Sequence, residues 1–240
     1  MAIGMDELLA GESFEDVVFE DLDCGGLDLS GKSFRQCVFT HVRLAEATLK
    51  GCTFEDCELE GCDATLARID DAAFRDVRFR RCKLMGIDWT GVRGIAFVVS
   101  FEECTLSHGT FADRKMQGTL FRDCKAHEVA FMGVDLTKSV FHGTDLLGAR
   151  FQDVVLVDAD LSTAVHYHIA PQQNRLKRTK FSRDAALALA EELGVIVPRD
   201  DEIGGGVETM AGSGGSAGRV SGKAPRGRRR ARSSEPSGSS

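Results

Sequence analysis

An apolar residue recurs at every fifth position along most of this chain. The series begins Phe14, Phe19, Cys24, Leu29, Phe34, Phe39, Leu44, Leu49, Phe54, Leu59, and runs on through Ala64, Ile69, Phe74, Phe79 and Leu84 to Trp89. It resumes at Phe101 and keeps its step through Leu106, Phe111, Met116, Phe121 and Ala126 to Leu161. Two residues before most of these centres sits a smaller one, such as Val17, Cys37, Ala47, Cys57, Cys82 or Val134, and the positions between are mostly polar or charged. A helix repeats at about 3.6 residues and a strand at 2, so neither produces this period. One large and one small inward residue per step require the backbone to turn a corner in every step.

The longer spacing counts the corners. Phe14, Phe34, Phe54 and Phe74 are twenty residues apart, as are Phe101, Phe121 and Phe141, and Phe111, Phe131 and Phe151. The pairs Cys37/Cys57, Cys62/Cys82 and Cys104/Cys124 repeat the same interval. Four steps therefore make one square coil, with like residues stacked above like at the parallel-strand spacing of about 4.8 Å. The predicted fold class is an all-β solenoid, a quadrilateral parallel β-helix whose coils bury their interiors against one another. About eight coils fit, giving a rod on the order of 40 Å long.

The breaks in the pattern divide the chain. Residues 1–13 read as an irregular lead-in that caps the first coil, and the repeat occupies 14–181. Within Gly91–Ser100 (GVRGIAFVVS) the ladder carries two extra residues, and if the faces realign Phe101 continues the column Phe19, Phe39, Leu59, Phe79. Such an insertion leaves a solenoid as a loop on one face, where binding often occurs; the competing reading is a tolerated bulge. At Ser182 the pattern changes. Ser182 as N-cap, Asp184 in the first turn and Gly194 past the end predict a short helix over Arg183–Leu193, followed by a brief strand, Val195–Val197. Residues 182–198 would cover the apolar end of the solenoid. Leu187, Leu193, Val195, Ile196 and Val197 offer more apolar surface than a cap needs, which makes them candidates for a dimer interface. Residues 199–240, rich in Gly, Ser and Arg, have too few apolar side chains to fold and read as a disordered tail. Its Arg226, Arg228, Arg229, Arg230 and Arg232 either stay solvated or touch nucleic acid weakly.

Charge is uneven. The net −7 divides into −12 over residues 1–165, +2 over 166–198 and +3 over 199–240, an acidic rod with a basic end. No apolar run is long enough to span a membrane, and the acidic start does not look like a signal peptide, so the cytoplasm is the expected location. Seven of the eight cysteines fall on small inward positions and the eighth, Cys24, on a central one, which suits core thiols better than disulfides or metal ligands. There is no C-x-x-C, P-loop or G-x-S-x-G, and the closely spaced His166 and His168 fit a polar turn. A filled coil leaves no cavity for a substrate. The expectation is a protein that is not an enzyme and takes no cofactor, metal or small-molecule substrate.

The repeat, A/C-(D/x)-(L/F)-x-x, resembles the pentapeptide-repeat family over about 150 of the 240 residues. That resemblance implies a right-handed quadrilateral β-helix. DVRFRRCKLMGIDWTGV (Asp76–Val92), SFEECTL (Ser100–Leu106) and the segment His166–Val197 are similar to one branch of it, the AlbG, McbG, Qnr and MfpA proteins. The branch implies a dimer that binds DNA gyrase, and in several cases topoisomerase IV, and protects it from a poison of the albicidin or quinolone kind. Gyrase holds DNA in a basic saddle, so an acidic rod can act as a DNA mimic. Candidate mimicking acids, chosen for their density, are Asp16, Glu20, Glu55, Glu58, Glu60, Asp70 and Asp71, and the candidate binding loop is Gly91, Val92, Arg93, Gly94, Ile95, Ala96, Phe97 and Val98. The alternative is a non-enzymatic protein-interaction scaffold with no topoisomerase role.

Overall fold

The computed structural model describes residues 3–94 and 97–198. Each five-residue step forms a strand of two to four residues, or a single bridged residue, and then turns. All pairings are parallel and in the expected register. Phe14, Phe34, Phe54 and Phe74 pair in sequence, and a nine-stranded ladder runs from Val18–Glu20 to Lys180–Phe181. The result is an all-parallel β-solenoid of about eight turns. Its four faces are named here by their first inward residue: face 1 starts at Phe14, face 2 at Phe19, face 3 at Cys24 and face 4 at Leu29.

The corners account for the period of five. Among the described residues twenty other than glycine have φ near +50° to +62°, including Asp16, Asp56, Leu66, Asp76, Arg81 and Lys138. Nine of the twenty are Asp, the charged residue that tolerates this region best. The cost of the conformation is offset because the corner N–H is bonded to the next coil, as in Asp16 N to Arg35 O (3.1 Å) and Asp56 N to Arg75 O (2.9 Å).

Inside, large residues form stacked columns. Phe101, Phe121 and Phe141 lie nearly parallel with ring centroids 5.3 and 4.6 Å apart, and Phe131 meets Phe121 edge-on at 6.1 Å. All eight cysteines are buried and free. All but Cys24 also donate a hydrogen bond to a carbonyl of the coil below. Cys82, Cys104 and Cys124 donate their S–H to the carbonyls of Leu59, Phe79 and Phe101 in the coil below, at 3.2 to 3.4 Å. Thr144 and Ser139 make the same bond with a hydroxyl, to Phe121 O and Met116 O. Burial pushes the Cys124 thiol up to about 12, so it stays a protonated donor at neutral pH. Cys82→Ser should therefore keep the rod within about 1 kcal/mol of its stability, whereas Cys82→Val, which cannot donate, should cost more. Urea unfolding of the two variants compares them.

Both ends are covered. The lead-in is not irregular throughout: α1 (Met5–Ala10) buries Leu8, and Glu7 accepts a bond from the Gly4 N–H. Lys32, nearly buried, donates to the carbonyls of Leu9 (3.1 Å) and Gly11 at the C-terminal end of this helix, where a cation is favoured. Gly11 lies against the Phe14 ring, with room for no side chain. At the other end α2 (Arg183–Glu192) starts as expected, with the Ser182 hydroxyl accepting from Ala185 N at 3.3 Å, and it ends at Gly194 with φ +76°. Residues 195–197 do not form the expected strand. A strand needs a neighbouring edge, and among the described residues none pairs with them; Val195 N instead bonds back to Ala190 O. The tail, residues 199–240, lies outside the described residues.

Candidate interaction surface

The ladder's interruption sits on face 1, and most of it is structural. Strand Val99–Glu102 already belongs to the regular coil, with Phe79 paired to Phe101 across the two extra residues. Val92 and Phe97 point inward; Phe97 is 4% exposed and its ring meets Phe74 at 6.3 Å and Trp89 at 5.8 Å. It fills the place in the face 1 column between Phe74 and Met116. Gly91, Arg93, Gly94 and Val98 are exposed, while Ile95 and Ala96 lie outside the described residues. The segment is thus part plug and part surface.

One residue here escaped the sequence reading. Arg114 occupies a small inward position, directly above Val92, where neighbouring coils carry Ala72 or Val134. Its guanidinium donates to Thr90 O at 2.9 Å and Gly94 O at 3.4 Å, so it clamps the interruption from the next coil. Partial burial pushes its pKa down from the usual arginine value. A charge on a position otherwise held by Ala, Val or Cys was the available signal, and Lys32 carried the same one.

The seven candidate acids do not share a face. Glu20, Glu58 and Glu60 are on face 2, Asp16 and Glu55 on face 1, Asp70 and Asp71 on face 4 and its corner. Stacking also pairs several with bases in the next coil. Glu55 lies 3.8 Å from Arg75, Glu58 lies 3.6 Å from Arg80, and Glu60 is bonded to Arg81. These rungs neutralise part of the surface that the sequence presents as acid-dense. The imbalance nonetheless persists over nearly the whole rod.

Among the candidate dimer residues, Leu187 is half-buried, but Leu193, Val195 and Val197 are exposed and Ile196 is 91% exposed. A groove of about 440 Å³ opens along the first half of α2, lined in part by Val165, Tyr167, Ala185 and Ala188 and by none of the candidate dimer residues. Tyr167 anchors it, accepting from Ser182 N at 2.9 Å and donating to Leu161 O. Nearby, Asp160 is held down to about 2 by the Lys180 ammonium, 2.8 Å away, and the Ser162 hydroxyl. A folded pKa below the unfolded value of about 3.9 gives stability that is complete above pH 4 and lost as pH falls towards 2. Asp160→Asn should flatten the stability profile in that window, as urea midpoints against pH would record.

His127 Nε2 and His166 Nδ1 each lie 2.9 Å from one carboxylate, Asp145, and His168 lies 3.0 Å from Glu192. Among the described residues no group of three His, Cys, Asp or Glu side chains is placed to hold a metal ion, and no helix is long and apolar enough to cross a membrane.

Two models, of the pentapeptide repeat region and of pentapeptide repeats in eight copies, match residues 32–94 and 130–165. The chain is a pentapeptide-repeat protein. Over 95 residues, 36% of this chain and 52% of the relative, it is 33% identical to the pentapeptide repeat protein MfpA of Mycobacterium tuberculosis, so the match spans about half of that relative's length. It is similar to a trypsin-treated form of QnrB1, a plasmid-mediated fluoroquinolone resistance protein, at 20% identity and TM-score 0.48 over 78% of this chain and 90% of that one. It is also similar to HetL, a pentapeptide repeat protein involved in heterocyst differentiation regulation from the cyanobacterium Nostoc, at 16% identity and TM-score 0.42 over 74% and 90%. Residues 95–129, between the two matched stretches, hold the later part of the interruption and Arg114. The pentapeptide-repeat coil nevertheless continues through them, with Phe101 and Phe121 in register.

Proposed function

We propose that this pentapeptide-repeat protein binds DNA gyrase, and topoisomerase IV if its saddle is similar, and protects the enzyme from a poison of the albicidin or quinolone kind. In this reading it works in the cytoplasm as a dimer joined through Leu187, Leu193, Val195, Ile196 and Val197. The observation that carries the reading is the charge of the rod: taking each face in two halves along the axis, seven of the eight halves hold more Asp and Glu than Lys and Arg. A straight, regularly stepped array of negative charge is what a DNA-binding saddle is built to attract. The likeness of His166–Val197 and of the interrupted ladder to gyrase-protecting members supports the choice of partner.

The test is gyrase supercoiling and cleavage with the purified full-length chain, with and without a poison. Restored supercoiling at sub-micromolar protein is expected; no rescue from any gyrase poison would sink the reading and leave the protein a scaffold of another kind. Dimerisation has its own measurement. Ile196→Asp places a charge in the exposed apolar cluster and should halve the mass seen by sedimentation, and an unchanged mass would remove these residues from the interface.

A further inference from the structure

On face 1 the charge reverses half-way along the rod. Its first four coils carry Glu15, Asp16, Glu55, Asp56 and Asp76 against Arg35 and Arg75. From the interruption onward the same face carries Arg93, Lys115, Lys138, Arg175, Lys177 and Arg178 against Asp135 and Asp158. The ladder Lys115, Asp135, Val155, Arg175 stacks two of them in one column, Lys138, Lys177 and Arg178 lie two or three residues along the same steps, and all six cations are exposed. This is the one half-face on which bases outnumber acids, and the residues come from positions up to 85 apart in the chain.

Most of this charge is left uncompensated. Arg178 is paired with Asp158 and Arg93 donates to the Thr53 hydroxyl at 2.9 Å. Among the described residues Lys115, Lys138, Arg175 and Lys177 form no salt bridge, though Lys115 favours ionised Asp135 through space and Lys138 and Lys177 favour ionised Asp158. Elsewhere on the rod Arg35, Arg43, Arg75, Arg80, Arg81 and Arg122 are each matched to an acid in the coil below. Among the described residues Lys50, Arg68, Arg78, Lys125 and Arg150 form no salt bridge either, but they lie on half-faces where acids outnumber bases.

We propose that this stripe is a second binding surface, for the phosphate backbone of duplex nucleic acid. Four coil steps of about 4.8 Å spread the cations over about 19 Å along the rod axis, across adjacent columns of one face, a reach that covers several phosphates. The neighbours Gln117, exposed, and Thr137, half-buried, are donors of the kind that contact phosphate oxygens, and both bond the Asp135 carboxylate. The stripe has no aromatic anchor, which an interface with an acidic protein would be expected to use. The surface is distinct from the acidic faces invoked above and has the opposite sign. A basic saddle that attracts those acids repels this half-face, so a duplex and a saddle would meet different parts of the rod.

Fluorescence anisotropy of the full chain with a labelled random-sequence 24-base-pair DNA duplex, at about 20 mM and 150 mM salt, tests this. K115E/K138E/R175E/K177E should weaken binding by more than tenfold at the lower salt and make the slope of log K against log salt shallower by about 3 to 4. R226S/R228S/R229S/R230S/R232S, which removes the basic run of the tail, should leave that dependence on the stripe intact. If circular dichroism shows the quadruple variant misfolded, K115Q/K177Q gives a smaller loss in the same direction. Wild-type affinity and slope in the stripe variants would overturn the proposal, as would no binding by the wild-type chain at 20 mM salt. So would tighter binding of poly-glutamate than of DNA at equal charge, which would mark an acidic protein as the occupant.

Discussion

Phe121→Ala should destabilise the rod by about 3–5 kcal/mol, the range for deleting a fully buried aromatic ring. Phe121 has no exposed surface. It is stacked between Phe101 and Phe141 and meets Phe131 edge-on, so its removal forfeits three ring contacts as well as burial. The site cannot collapse to fill the void, because the strands on either side are fixed by ladder hydrogen bonds at a spacing that does not depend on the side chain. A solenoid also has no second layer from which a neighbour could move in. A urea midpoint shifted by the equivalent of less than 1 kcal/mol would show that the column is not close-packed.

The second large effect separates the two halves of the interruption. Phe97→Ala should cost about 3 kcal/mol or more, since Phe97 is the plug between Phe74 and Trp89. Val98→Asp, one residue further, should leave stability nearly unchanged because Val98 is 49% exposed and its backbone makes the structural bonds, to Phe74 O and from Val77 N. If the exposed edge of this segment touches a partner, Val98→Asp will lower protection without lowering the unfolding midpoint. Equal destabilisation by both substitutions would show that the segment is all core. For the same reason, deleting the two extra residues is a poor probe of function, because it would unseat Phe97 as well as shorten the surface.

Much of this protein was legible from spacing alone, for a physical reason. In a solenoid each contact is made at a fixed sequence interval, so the column Phe34 over Phe14 appears in the sequence as a repeat of twenty. The same regularity located the N-cap at Ser182 and the realignment at Phe101. It did not reveal how the corners are made. Their left-handed residues include Asp, Gln, His, Leu, Arg and Lys, because the conformation there is imposed by hydrogen bonds to the adjacent coil rather than chosen by the side chain. The helix in the lead-in was missed since six residues are too few for a periodic signal. Residues 195–197 were β-branched enough to read as a strand, but propensity cannot supply a partner edge.

Charge divides in the same way. The net acidity of residues 1–165 is a sum, and a sum needs no coordinates. Which charges meet is set by the stacking of coils. Glu58 and Arg80, or Asp158 and Arg178, become neighbours only when residues about twenty apart are brought together. Lys115, Arg175 and Lys177 become one stripe only when all the intervening coils are wound. The amino-acid order by itself determined the coil, its interior columns and the place where the ladder breaks, since those depend on the burial of side chains at a constant interval. The tertiary structure decided that Phe97 turns inward, that Arg114 clamps the carbonyls of Thr90 and Gly94 and that face 1 changes sign, because each of these depends on what lies one coil away.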